Sequence, residues 1–209
     1  MSSTRFPGKM LAPFNGRPII AHVVSRIADA FPISIITVAT STHESDDPLA
    51  GYVERMGVSV FRGPLDDVFR RFQLCLQEYP ADWIFRVNGD SPLFDADLVY
   101  KMQAYTDRTD LDLVTNVFPR TFPKGRSLEM LNVTTFLGLN AGELTARQQE
   151  HVTPVFYDNP DRFHILNIES GDPSQAEVNL CVDTVDDLRR IESMASNLDS
   201  GVSTPSEAK

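Results

Sequence analysis

Trp83-Ile84-Phe85-Arg86-Val87-Asn88-Gly89-Asp90-Ser91-Pro92 reads as a strand running into a tight turn that carries an acid. Aromatic and β-branched residues fill the first half, and the residues of turns fill the second. A helix-like segment over 95–106 follows. Working outward, the same alternation recurs. Towards the N-terminus lie a helix opened by Pro18, a β-branched run over 33–39, a helix over 48–56 closed by Gly57, a strand over 58–61, and a helix over 66–79 with Asp66 as its expected N-cap. Towards the C-terminus lie strands over 111–117 and 128–133, helical stretches up to Tyr157, strands over 163–168 and 178–182, and a last helix over 185–195. Strand–helix–strand repetition of this kind predicts an α/β fold in three layers, with a mostly parallel central sheet covered by helices on both faces. Ligands of such sheets bind just beyond the carboxyl ends of the strands.

The opening of the chain supplies a second signal. Met1-Ser2-Ser3-Thr4-Arg5-Phe6-Pro7-Gly8-Lys9 packs small hydroxyl residues, an Arg, a Pro-Gly turn and a Lys into one loop. Backbone N–H groups in such a loop can converge on phosphate oxygens while Arg5 and Lys9 supply charge. The formal net charge is −10, yet no Asp or Glu precedes Asp29, and Arg5, Lys9, Arg17 and Arg26 all fall before it. An acidic protein with a basic opening suits an anionic small molecule and repels nucleic acid. The loop is not a Walker A motif, because Lys9 is followed by Met10.

Composition sets the outer limits. A chain of 209 residues is read as one domain over 1–196 with a disordered tail over 197–209. No run of eighteen apolar residues predicts a membrane span, and no leader pattern predicts secretion, so a cytoplasmic location is expected. Cys75 and Cys181 stand far apart among apolar neighbours and are read as buried thiols.

Two acids complete the candidate site. Asp90 follows one strand end, and Asp183, in Leu180-Cys181-Val182-Asp183-Thr184, follows another and precedes a helix. Two carboxylates at strand ends facing a basic loop are the minimum set for a Mg²⁺–phosphate site, since Mg²⁺ uses one or two carboxylates plus substrate oxygens and water. Taken alone, Asp183 could equally cap the helix that follows it.

These segments carry a resemblance. Residues 1–9, Phe61-Arg62-Gly63 with Asp66-Asp67-Val68, Arg86-Val87-Asn88-Gly89-Asp90-Ser91-Pro92, Glu150-His151-Val152-Thr153-Pro154 and Val182-Asp183-Thr184 match one family in order and spacing. The chain resembles the cytidylyltransferase-type family of spore coat polysaccharide biosynthesis protein F, related to the 3-deoxy-manno-octulosonate and acylneuraminate cytidylyltransferases. The resemblance implies a GT-A-like nucleotidyltransferase fold. It also implies attack of a sugar or sugar-acid hydroxyl on the α-phosphate of a nucleoside triphosphate, CTP before others, with release of pyrophosphate for surface polysaccharide synthesis. Carried over by residue, Arg5, Lys9 and Asp90 are the catalytic set. Ser3, Thr4, Gly8, Thr40 and Ser41 hold the nucleotide, Asp90 and Asp183 hold Mg²⁺, and Arg62, Arg86, Glu129, Glu150 and His151 line the sugar side. No membrane or nucleic-acid partner is implied, and a homodimer is expected by analogy alone.

The chain also departs from the family. Relatives carry an apolar strand ahead of the phosphate loop, whereas this sequence starts inside the loop motif, so the sheet is expected to lack a central strand of about five or six residues. Met1 is then expected to be internal to the motif. Pro123-Lys124-Gly125-Arg126-Ser127-Leu128-Glu129 places Ser127 where relatives have an acid, which makes the loop more basic and points to an altered acceptor. Two other readings share these residues. One is a binding-only relic; the other is a GT-A-type glycosyltransferase, which usually shows an Asp-x-Asp pair at a strand end. Asp95-x-Asp97 has that spacing but opens a helix, where acids favour the dipole.

Overall fold

The computed structural model describes residues 5–199, with side chains to Ala195. The chain first forms a short hairpin, β1 (Pro13–Phe14) and β2 (Arg17–Pro18), around Asn15-Gly16. Both turn residues have positive φ, 44° and 78°, which is what Asn-Gly supplies in two-residue hairpin turns. Then come α1 (Ile19–Ala28), β3 (Thr37–Ser41), α2 (Asp47–Arg55), β4 (Ser59–Gly63), α3 (Val68–Glu78), β5 (Trp83–Arg86) and α4 (Asp97–Gln103). The second half runs β6 (Leu113–Thr115), β7 (Glu129–Asn132), α5 (Val133–Leu137), α6 (Ala146–His151), α7 (Pro154–Tyr157), β8 (Ile165–Asn167) and α8 (Val185–Asp199).

The sheet is mixed, not mostly parallel. β3 and β4 pair in parallel, and β6 and β8 pair in parallel, but β7 lies antiparallel between β5 and β6. The cause is the connection between β6 and β7. It contains no helix, and without a crossover two neighbouring strands can only run antiparallel. Period-2 alternation then builds the expected three layers. Ile84, Leu113, Leu131 and Ile165 face a core with α3 and α5–α7, including Phe69, Phe136 and Phe156. Phe85, Val114, Met130 and Leu166 face the opposite core with Phe94, Leu98 and Met102 around α4.

β3 pairs only with β4 and β5 only with β7, so besides the β1–β2 hairpin the described strands form two separate sheets, β3–β4 and β5–β7–β6–β8, with a seam between them. Helices splint it from both faces. α1 gives Ile20 and Val24 to the core on β3 and β4, while Ile27 and the following Phe31 also reach β5, with the Phe31 and Phe85 rings 5.1 Å apart. On the other face α3 touches β3 and β4 and packs Phe69, Phe72 and Leu76 against Ile84.

Local corrections follow the same physics. Ile33–Ile35 is a 3₁₀ turn after Pro32, and the strand starts only at Thr37; Ile33 and Ile35 stay exposed. The N-cap of α3 is Asp67, whose carboxylate accepts from Arg70 N–H at 2.8 Å, and not Asp66. Residues 178–182 are no ladder strand. They pair with loop segments instead, through Lys124 N–H to Val178 C=O, Leu180 N–H to Lys124 C=O and Val182 N–H to Asp90 C=O. α8 runs past the boundary expected at 196, and the tail over 200–209 lies outside the described residues.

Candidate active site

Lys9 is the node of the site. Gly8, at φ 74°, turns the chain into a 3₁₀ turn over Lys9–Leu11, and the Lys9 side chain reaches inward from it. Its ammonium donates to Asp90 Oδ2 at 2.9 Å, Val182 C=O at 3.0 Å and Asp183 Oδ1 at 3.1 Å. All three donors are used. Burial opposes the charge, but Asp90 and then Asp183 outweigh it and hold the ammonium above its ordinary pKa. Asp90 is delivered by the loop after β5, where a Cβ on Gly89 would lie 3.2 Å from the Met10 sulfur. Arg5, exposed, stands 3.4 Å from Asp183.

The question of whether Asp183 merely caps α8 has a geometric answer. Thr184 Oγ1 accepts from Asp187 N–H at 3.1 Å, and Asp187 Oδ2 accepts from Thr184 N–H at 3.0 Å. Thr184 and Asp187 therefore close a capping box of their own. Asp183 is left with Lys9 and Arg5. Because Asp90 and Asp183 each place an oxygen on the same ammonium, the two carboxylates converge on one point, as a divalent cation requires. No cluster of three or more His, Cys, Asp or Glu that could hold a metal occurs among the described residues, so substrate oxygens and water would complete its shell.

Beside this node lies an open pocket of about 240 Å³ lined in part by Arg86, Asn88, Arg120, Ser127, Glu129, His151 and Tyr157. Asn88 is two residues from Asp90, which ties pocket and node together. Glu129 is buried with both oxygens engaged: Arg86 donates to Oε2, and the Tyr157 hydroxyl donates to Oε1 at 2.6 Å. Burial and the Glu129 carboxylate push the Tyr157 phenol far above its ordinary range. Thr115 Oγ1, 2.9 Å from the same hydroxyl, completes the chain of bonds. His151 ends α6 and is followed by a strained turn. Val152 has φ 72° and ψ −63°, and Thr153 N–H donates to His151 C=O at 2.9 Å. A fully buried β-branched residue in this γ-turn is held by its surroundings, and such strain collects at functional sites.

Lys9, Asp90 and Asp183 thus come together with Arg5 close by, and Arg86, Glu129 and His151 share the pocket. The other expected residues fall elsewhere. Ser3 and Thr4 lie outside the described residues. The Thr40 and Ser41 hydroxyls donate to the buried Asp46 at 2.7 and 2.6 Å, which leaves them holding a loop. Arg62 donates to Ser41 C=O and His43 C=O and pairs with Asp47 at 2.6 Å, away from the pocket. Glu150 is exposed on α6 and lines neither feature. Asp95 accepts from Asp97 N–H at 3.1 Å, so the Asp-x-Asp spacing serves a helix start. Tyr157 and Arg120 were not signalled, because only tertiary folding carries them to the pocket. A larger concavity of about 300 Å³ between Leu139 and Arg162 contains none of the expected residues.

The family model described as cytidylyltransferase matches residues 1–198. Spore coat polysaccharide biosynthesis protein SpsF of Bacillus subtilis is 29% identical over 202 residues, covering 93% of this chain and 82% of that protein. A cytidylyltransferase structure from Leptospira borgpetersenii superposes with TM-score 0.88 at 27% identity, covering 94% of this chain and 83% of that one. CMP:2-keto-3-deoxy-manno-octonic acid synthetase complexed with CTP shares the fold at TM-score 0.71 and 19% identity, covering 94% and 95%.

Proposed function

The chain belongs to the cytidylyltransferase family, and on that premise we propose that it transfers a cytidylyl group from CTP to a hydroxyl of a sugar or sugar acid, with Mg²⁺, in a GT-A-like fold. The acceptor oxygen forms a bond to the α-phosphorus, the bond from that phosphorus to the β-phosphate bridging oxygen breaks, and pyrophosphate leaves. The observation that carries this reading is the convergence of Asp90 and Asp183 on Lys9 beside a pocket that holds Arg86, Glu129 and His151. Phosphoryl transfer depends mainly on positioning and charge neutralisation, which these groups supply.

Arg5 and Lys9 bind triphosphate oxygens; Lys9 does so by giving up one of its present acceptors. Asp90 and Asp183 would hold the Mg²⁺, which when bound supplies charge neutralisation to the phosphates. Arg86 and Glu129 orient the acceptor, and His151 takes the hydroxyl proton.

The test is pyrophosphate release from CTP, GTP, UTP and ATP with Mg²⁺ and a panel of keto-sugar acids and neutral sugars. Release with CTP and one acceptor, abolished by EDTA and by Asp90→Asn, is expected. CTP binding without pyrophosphate from any acceptor would replace this reading with a binding-only role. Consumption of a nucleotide-sugar would replace it with glycosyl transfer.

A further inference from the structure

We propose that Lys9 is a stand-in cation, whose ammonium keeps Asp90 and Asp183 closed to a divalent metal until a triphosphate draws it away. Metal and nucleotide then bind as a pair, and neither carboxylate is open to a metal that arrives alone. The part played by the triphosphate rests on the cytidylyl-transfer reading; the exclusion of metal does not. An ammonium has three N–H donors. Here each has its own acceptor: Asp90 Oδ2, Val182 C=O and Asp183 Oδ1. The two carboxylate oxygens face Nζ at 2.9 and 3.1 Å. An ion such as Mg²⁺ needs its oxygens at about 2.0–2.1 Å and would take the same lone pairs from the same side. Ion and ammonium cannot share that space, and their like charge sharpens the exclusion.

Charge points the same way. Lys9 and Arg5 already match Asp90 and Asp183, and no cluster with a third His, Cys, Asp or Glu forms there among the described residues. A divalent ion added alone leaves the group positive; added with a triphosphate it does not. Of the two cations, Lys9 is the one that closes the site. Its side chain is only 12% exposed, whereas that of Arg5 is 66% exposed and stands 3.4 Å from Asp183. An enclosed ammonium gives up three acceptors only for others, because leaving polar groups unpaired is costly. Triphosphate oxygens are such acceptors, and a bare metal ion offers none.

The exchange asks for movement of one side chain. The backbone under Lys9 is held by Leu11 N–H to Gly8 C=O at 2.9 Å and Ala12 N–H to Lys9 C=O at 3.0 Å. Its flexible four-carbon stem lets Nζ swing while that turn stays still. The seat it leaves is held as well. Val182 N–H donates to Asp90 C=O at 3.0 Å, which ties the two acidic loops together, and Asp183 N–H donates to Asp187 Oδ2 at 3.3 Å. Both carboxylates therefore stay in place when the ammonium goes. By linkage the coupling is reciprocal: whatever nucleotide adds to metal affinity, metal adds to nucleotide affinity.

The test measures binding of Mn²⁺ by the loss of its free-ion EPR signal, first with no nucleotide and no acceptor present. Lys9→Met is expected to bind Mn²⁺ at least about tenfold more tightly than wild type, in the range of ordinary coupling energies. The double variant Lys9→Met/Asp183→Asn is expected to lose that gain, which locates the ion at the two carboxylates. Lys9→Gln, neutral but still able to donate, is run beside Lys9→Met, with a thermal melt of each as the folding control. Mn²⁺ should raise the melting temperature of the neutral variants at concentrations that leave wild type unmoved. With CTP added and the protein-free CTP blank subtracted, wild type should gain about tenfold or more in Mn²⁺ affinity. A folded neutral variant that binds Mn²⁺ no better than wild type, a gain that survives Asp183→Asn, or no binding by any of the proteins overturns the proposal. So does a wild type whose Mn²⁺ affinity ignores CTP. None of these measurements needs turnover. Absence of pyrophosphate release with every acceptor would sink the transfer reading alone, and a tighter Lys9→Met would still uphold the stand-in role.

Discussion

Lys9 does two things whose consequences can be separated. It keeps two carboxylates together, and it offers its charge to an incoming triphosphate. Lys9→Met leaves Asp90 and Asp183 facing each other in a partly buried place with only the exposed Arg5 beside Asp183 as counter-charge. The expected loss is about 1–3 kcal/mol of stability, read from urea unfolding. A loss of about 10²–10³ in kcat is expected besides, read from pyrophosphate release. Lys9→Arg should not restore activity, because a planar fork cannot place three donors where one ammonium does. Lys9 and Asp90 were legible because a Gly or Pro within a few positions marks each loop as a built turn, and Asp183 because it stands between an apolar run and a helix. Arg120 and Tyr157 were not legible, since nothing in their local sequence separates a pocket-lining Arg or Tyr from a surface one.

Protonation belongs at this scale too. Burial raises the Cys181 thiol to about 11, with Asp90 adding to it, and raises the Cys75 thiol to about 11, with Glu78 adding to it; Lys9 is raised as well. All three groups hold protons more tightly folded than unfolded. Their contribution is therefore complete below about pH 9 and is lost as pH rises towards 11. The urea midpoint should be level from about pH 7 to 8.5 and fall from about pH 9 upward. A midpoint that rises over that interval would contradict the assignment.

At the scale of elements, the segment leading to Asp183 hangs on one glycine. Gly125 has φ 92°, and a Cβ there would lie 2.6 Å from the Leu180 carbonyl carbon and 2.7 Å from its oxygen. Gly125→Ala is expected to cost at least about 1–3 kcal/mol in strain alone. It should also reduce activity, because relief of the clash shifts residues 180–183. Gly171→Ala is the control: φ is 80° but nothing lies within 4 Å, so stability falls and activity stays. Urea midpoints and turnover of the two variants decide it. The sequence foretold most helices here, since amphipathic spacing and Pro or Gly boundaries are local. It misplaced the strand over 178–182 and the orientation of β7, because strand pairing is settled by distant partners. The Asn15-Gly16 hairpin is legible from its dipeptide alone, since both residues tolerate positive φ.

For the whole molecule, the seam is the feature that local patterns could not locate. β7 is paired on both sides, whereas β3 and β5 are each paired on one. Hydrogen exchange should therefore be slow throughout β7 and fast at the seam-facing amides of β3 and β5. Uniform protection across all three strands would show that the seam is closed.

The seam also gives the molecule a mechanical direction. Across it, cohesion comes from side chains of α1 and α3 and not from a backbone ladder. Apolar contacts slide where hydrogen-bonded strands must break together. Under load applied between β4 and β7, the protein should part along this line first, each ladder leaving as a unit with its own half of the splint.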